Sequence, residues 1–351
     1  MFTGSRNAVA VVVAMTLTAV CSTSPAATDL PERGVRHFVL HGSAPSYYNP
    51  KITKPIDTTI TSQVDLSAND TEGRYTVQDE IWNPGVTVPL HYHKRHAEVF
   101  YIVSGEVEWT VGGETHVLHG GDVVYIPPNT PHKVHVTGGK PMHDLFIFAP
   151  GGYEDELELQ YQFTPEQLKD PVVDAVFSRI RDFHPLPDTT VVKPDTLPRG
   201  QHHFTLNGGG RSVHNPASTG VDSKILLSGD DTEGRYTLQD EVWNPHMEVP
   251  LHFHKRHAES FYILSGQVEW TVGGETHVMS AGDLVYIPVN TPHKVHVVGD
   301  QPLHTLFLYQ AGGYEDSLDI KNKFSEAQLK EPATDAAMSR LHDFNAVPDK
   351  K

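Results

Sequence analysis

The chain has 351 residues, enough for two ordinary domains that each bury a core. Lys and Arg number 27 against 44 Asp and Glu, a net charge of −17. No stretch collects enough basic side chains to track phosphates, which argues against nucleic acid and anionic membrane surfaces as partners. Histidine is the compositional outlier at 23 copies, and neutral imidazole is the commonest protein ligand for transition metals.

In chain order, Arg6, the apolar run AVAVVVAMTLTAV and the tail CSTSPAAT predict a secretory signal over residues 1–26, too short to span a bilayer. Cys21 just after that run also fits a lipoprotein anchor, although Val20 is bulkier than such sites usually accept. Past the signal there is no cysteine, hence no disulfide, and nothing after residue 30 reads as a membrane span. The expectation is a secreted or extracytoplasmic protein held together by packing.

After an amino-terminal arm at 27–60 the chain repeats itself. TEGRYTVQDEIWNPG at 71–85 returns as TEGRYTLQDEVWNPH at 232–246, and the offset of 161 still holds between Gly151 and Gly312. A period this long means domain duplication, placing one domain at 61–183 and a second at 222–345, with a short tail at 346–351. The intervening segment 184–221 opens with HPLPDTTVVKPDTLPRG, whose four prolines suit a linker.

Within each copy the runs RYTVQDEIW, EVFYIV, VEWTV, THVL, DVVYI and HKVHV are short, rich in β-branched and aromatic residues, and separated by turn residues. Gly112 and Gly113 predict a two-residue hairpin. Closely spaced antiparallel strands predict a sandwich or barrel. Helical signals come only afterwards: TPEQL at 164 offers a cap, and DPVVDAVFSRI starts again at Asp170 and Pro171. The stretches GGYED and NGGG read as turns.

Side chains at i and i+2 leave one face of a strand, so His91 and His93 both enter the barrel while Tyr92 faces away. Glu98 follows across the polar bend KRHA, and a Pro-rich turn returns the chain at His132. The second copy supplies His252, His254, Glu259 and His293. Three neutral imidazoles and a carboxylate leave a divalent cation near +1 with open positions when six-coordinate, unlike the closed, often thiolate-bound zinc of structural sites. His135 and His296 lie three positions past a ligand and fall on the opposite face. His96 and His257 sit in the bend, as solvated loop residues rather than spare ligands. Lys94 and Arg95 read as solvated surface. No Gly-x-Ser-x-Gly and no thiol is present to carry covalent catalysis.

These blocks resemble the paired motifs of the cupin superfamily: Gly85, His91, His93, Glu98 and Gly105, then Gly121, Pro127 and His132, with His252, His254, Glu259, Gly266, Gly282, Pro288 and His293 in the second copy. The resemblance implies an all-β bicupin: two tandem double-stranded β-helix (jelly-roll) barrels, each with a short C-terminal helical segment and one metal. Three positions depart from the pattern. His246 stands where glycine is preferred, so a different backbone turn is expected there, Asn129 and Asn290 replace a second-motif glycine, and Val136 and Val297 replace its terminal asparagine.

The EVFYIVSGEVEWTVGGE hairpin, the IPPNTPH turn and FAPGGYED resemble quercetin 2,3-dioxygenase-like cupins in particular. That implies a phenolic or enolic small-molecule substrate bound at iron, manganese, copper, nickel or cobalt, with dioxygen as co-substrate. Glu98 and Glu259 would act both as ligands and as bases. Oxalate decarboxylase-type bicupins are the second resemblance, implying a non-redox decarboxylase, isomerase or cyclase. Decarboxylation of that kind needs a further acid and an arginine near the open positions, and no loop clearly supplies both. The third reading is a storage or ligand-binding bicupin without turnover.

Overall fold

The computed structural model describes residues 37–41, 60–160, 162–164, 166–193, 203–206, 210–214 and 220–347. The predicted signal, Cys21 and most of the amino-terminal arm lie outside them. Each repeat folds into two antiparallel sheets. In the first repeat, one sheet runs in the order Phe204–Leu206, Val123–Ile126, Ala97–Ser104, Met142–Ala149, Thr76–Trp82 and Ile60–Leu66. The other runs Phe183–Pro185, Thr87–His93, His132–His135, Glu106–Val111 and Glu114–His119. Trp82, Phe100 and Phe146 of one sheet meet Trp109, Val111 and Val134 of the other in a shared apolar core. The second repeat has the same arrangement around Trp243, Phe261 and Trp270. The chain is thus a pair of β-barrels, as the strand pattern predicts.

A third apolar cluster lies between the barrels and draws on both repeats, from Tyr75, Tyr101 and Tyr125 to Tyr236, Tyr262 and Tyr286. It explains why EVFYIV is apolar throughout instead of alternating. The first six residues of Ala97–Ser104 are all buried, one face inside the barrel and the other against the partner barrel. Polar groups close this seam in matched pairs: Tyr262 donates to Asp79 (2.7 Å) and Tyr101 to Asp240 (3.3 Å). Tyr286 donates to the Asp70 carbonyl (2.6 Å) and Tyr125 to that of Asp231 (2.9 Å).

Segments outside the repeats also form strands. Phe38–Leu40 adds to the edge strand Leu284–Ile287 of the second barrel, and Phe204–Leu206 adds to Val123–Ile126 of the first. Each arm therefore covers an edge of the barrel it does not precede. Behind the second arm, His203 rests against the hairpin glycine Gly112, where an added Cβ would meet its ring at 2.3 Å. That hairpin is the expected two-residue turn, with Val111 opposite Glu114 and φ of 57° and 89° at the glycines.

Two expectations are corrected. GGYED is not a plain turn: it opens the helix Tyr153–Gln160, matched by Tyr314–Lys321. No apolar stripe announces this helix because its buried face carries carboxylates. Glu154 accepts from the Ala68 amide and the Thr76 hydroxyl, both at 2.5 Å. His246 does not alter its turn either, since it takes the left-handed conformation (φ 63°) that Gly85 takes at 82°. Asn129 and Asn290 are left-handed too (φ 64° and 62°). The expected helical tail is present as a short 3-10 turn, Gln167–Lys169, and the helix Pro171–Ile180, capped by Asp170 through the Val172 amide at 2.8 Å.

The seam yields a prediction. Tyr262→Phe removes a short bond to a carboxylate and should cost about 1.5–3 kcal/mol in denaturant unfolding, more than Tyr101→Phe with its longer bond. Equal losses would mean that these bonds do not carry the seam.

Candidate metal centre

The strand Thr87–His93 carries two of the candidate ligands and the strand starting at His132 a third, paired so that His91 lies opposite His132. Glu98 enters from the other sheet, opposite Ile126. His91, His93, Glu98 and His132 are all buried, and their ligand atoms lie within 4.8 Å of one another. His252, His254, Glu259 and His293 repeat the arrangement in the second barrel.

Main-chain carbonyls set the protonation of the rings. His91 Nδ1 donates to the Pro89 carbonyl (2.7 Å), His93 Nδ1 to that of Arg181 (3.0 Å) and His132 Nδ1 to that of Thr130 (2.8 Å). A carbonyl only accepts, so each Nδ1 carries a proton, and in the neutral ring that binds metal Nε2 is the lone-pair donor. In the second barrel the acceptors are the carbonyls of Pro250, Asp343 and Thr291. Each cage is thus lined by the Nε2 atoms of its rings. His132 Nε2 stands 2.9 Å from Glu98 Oε2 and His93 Nε2 3.2 Å from Glu98 Oε1, yet His93 Nε2, His132 Nε2 and Glu98 Oε2 have no hydrogen-bond partner.

Burial opposes the ionisation of Glu98, but His93 and His132 outweigh it and hold the carboxyl well below its usual range. Burial, and then His132, pushes His91 down to about 2, and His252 falls to about 3 for the corresponding reasons. The buried carboxylate and the ring nitrogens around it need positive charge among them, which a divalent cation supplies. The residues therefore fit a divalent metal with nitrogen and oxygen preference, one in each barrel.

The carboxyl-terminal tail of each repeat closes its cage, a role that ligand spacing does not reveal. Phe183 pairs with His93 in the sheet and stacks on the His91 ring at 4.2 Å, as Phe344 does on His252 at 4.1 Å. Asp182 accepts from the Arg95 amide (2.6 Å) and from His96 (3.3 Å), tying the bend KRHA to the tail. His96 is consequently neither a ligand nor a solvated loop residue, since its ring also stacks on Phe148 at 4.3 Å. His257 repeats this with Asp343 and Tyr309. His135 lies on the far face, exposed and bonded to Thr87, as strand alternation predicts.

Above the first cage is a cavity of about 190 Å³, lined by aromatic rings including Trp82, Phe100, Trp109 and Tyr153. The second has about 150 Å³. Each holds an acid that the spacing analysis missed. Glu80 accepts from Ser62 and Trp82, and Glu241 accepts from Ser223 (2.7 Å) and Trp243 (2.8 Å). Burial pushes Glu241 up to about 7. The Glu-x-Trp pair that both strands keep, EIW and EVW, was the available signal. The first cavity also has Glu156 and Arg181, 3.6 Å apart. The further acid and arginine that no loop supplies thus come from the start and end of the helical tail.

Two outcomes follow. Purified protein should contain two transition-metal ions per chain by elemental analysis, with His91→Ala and His252→Ala each losing one; retention of both would refute the assignment. Because the folded pKa of Glu241 is raised from 4.5 to about 7, its neutral form adds stability that is complete below 4.5 and lost as pH rises through 7. Glu241→Gln should remove that loss, at most about 3 kcal/mol, from unfolding curves measured across this window.

The family described as Cupin domain matches residues 79–148 and 240–309. Quercetin 2,3-dioxygenase of Bacillus subtilis is 25% identical over 235 residues, 60% of this chain and 66% of that protein. Just under two thirds of the relative is therefore spanned. Oxalate decarboxylase OxdC of the same organism is 23% identical over 302 residues, 76% of this chain and 74% of that one. Among solved structures, a putative glyoxylate-induced protein from Pseudomonas aeruginosa superposes with a TM-score of 0.54 at 15% identity, covering 80% of this chain and 91% of its own, a likeness of fold. Because the domain matches fall one on each repeat, and the repeats build one barrel apiece, the chain belongs to the cupin superfamily as a bicupin.

Proposed function

We propose that this bicupin is a metal-dependent dioxygenase of small phenolic or enolic molecules. The observation that carries the reading is the set of three histidines and a glutamate, with two ring nitrogens lacking a hydrogen-bond partner, converging at the floor of an aromatic-lined cavity in each barrel. A divalent transition metal held there supplies Lewis acidity and open positions for substrate and dioxygen. The protein does the rest. Trp82, Phe100 and Trp109 exclude water and favour a flat ring, and ionised Glu98 or Glu259 takes the proton of a phenol or enol entering beside it. A cavity near 150 Å³ accommodates a benzene-sized ligand, so substrates with one ring fit these cavities better than a multi-ring flavonol.

A second reading, non-redox decarboxylation or isomerisation, gains support from Arg181 and Glu156 in the first cavity: a guanidinium able to polarise a substrate carbonyl and an acid pushed up to about 7 by burial, against the opposing charge of Arg181. Oxygen-electrode assays with catechol-type substrates, run beside anaerobic carbon dioxide release from small carboxylic acids, separate the two. We expect oxygen uptake that matches substrate loss and falls at least about a hundredfold in the double variant His91→Ala/His252→Ala. Anaerobic carbon dioxide release without oxygen uptake would decide for the second reading.

A further inference from the structure

The two barrels keep the same four donors beneath different caps. Across the offset of 161, Glu156 becomes Ser317, Gln160 becomes Lys321 and Arg181 becomes His342. In the first cavity the cation has its counter-charge, with Arg181 Nε 3.6 Å from Glu156 Oε1. Deeper in that barrel the buried Asp144 stands opposite Glu80 across a strand pair, where the second barrel has Thr305 opposite Glu241. The second cavity is lined instead by Lys321 and His342. The second barrel has thus lost two carboxyls, one of them from the cavity wall, and kept a cation there.

Lys321 ends the helix Tyr314–Lys321, where the carbonyl end of a helix attracts a cation. That accounts for a lysine facing solvent but not for one lining a cavity. The acid that acts on it is the exposed Asp335, and no hydrogen bond or ion pair to Lys321 is formed among the described residues. Burial pushes its ammonium down, the response of a cation short of compensation. The His342 ring lies alongside, against Tyr314 at 4.7 Å and His254 at 5.7 Å.

We propose that the second cavity binds a small carboxylate anion against Lys321 and His342, a site that the first cavity lacks. Glu156 already meets the guanidinium in the first cavity and, ionised above about pH 7, presents like charge to an incoming anion, whereas Ser317 presents none at any pH. The two centres then take different ligands although their metal donors are identical. This inference rests on the metal cages of the proposed function, because the anion shares its cavity with one of them.

Full-length protein loaded with cobalt(II) tests it, with acetate as the probe, followed by the visible spectrum of the cobalt and by titration calorimetry. His91→Ala leaves the second cage alone, and acetate should saturate there at one per chain. Adding Lys321→Met should weaken acetate by about tenfold or more, Lys321→Arg by less than about threefold. Ser317→Glu, which restores the acid of the first barrel, should weaken it by a factor similar to Lys321→Met. His252→Ala, which leaves the first cage alone, should bind acetate at least about tenfold more weakly than His91→Ala does. Equal affinity with and without Lys321, or in the two single-cage proteins, overturns the inference and leaves the cages standing. Failure of either cage to take up cobalt, measured before acetate is added, overturns the underlying reading and this one with it.

Discussion

A carboxylate withdrawn from water inside an apolar barrel is the constraint around which each domain is arranged. Glu98 is 5% exposed and Glu259 likewise, and an ionised carboxyl at that depth is unfavourable without compensation. The carbonyls of Pro89, Arg181 and Thr130 each hold a ring proton at Nδ1 and aim Nε2 inward at the carboxylate. Two of these carbonyls lie two residues before the histidines they hold, at Pro89 and Thr130. Short Pro-containing segments, VPLH and NTPH, therefore orient the ligands as they deliver them. A metal bound among these nitrogens would supply the compensating charge, which makes the cage a property of backbone geometry as much as of side-chain identity.

Rigidity at that depth depends on the neighbouring barrel. The ligand Glu98 sits on a strand whose opposite face is buried in the seam between the barrels, and Glu259 sits on its counterpart. Either strand alone would present Tyr101 or Tyr262 to water. Paired, they form a core that neither domain contains. The arms extend the same dependence, because the segment before each repeat lends a short strand to the edge of the other repeat's barrel. Such cross-covering makes the duplicated chain behave as one folded unit.

Much of this was legible in the sequence because it rests on local patterns. Period-2 alternation, turn glycines and His-x-His spacing placed the strands, the hairpins and the eight cage residues. The parts that were not legible depend on contacts between distant segments. Asp182 caps the bend at Arg95 from 87 positions away, and Phe183 covers His91 from a strand that looked like the start of a linker. Tyr153–Gln160 was missed because burying Glu154 and Glu156 erases the apolar periodicity that marks a helix. His96 was misplaced for a related reason, since a polar tetrapeptide reads as solvated until the tail folds over it.

The division between constant cage and changed cap has a physical basis in what each contact requires. The tail holds the cage through a main-chain carbonyl on His93 or His254, a phenyl ring on His91 or His252, and the Asp182 or Asp343 carboxylate on the bend. The side chains at 156 and 181 take no part in those bonds, so each can be exchanged without moving a ligand. Even the switch of acceptor from the Arg181 carbonyl to the Asp343 carbonyl, one residue out of register with the repeat, leaves both bonds at 3.0 Å. A cap tied down by its backbone is free to present different chemistry from its side chains, and a duplicated barrel can change what it binds while its metal donors stay the same.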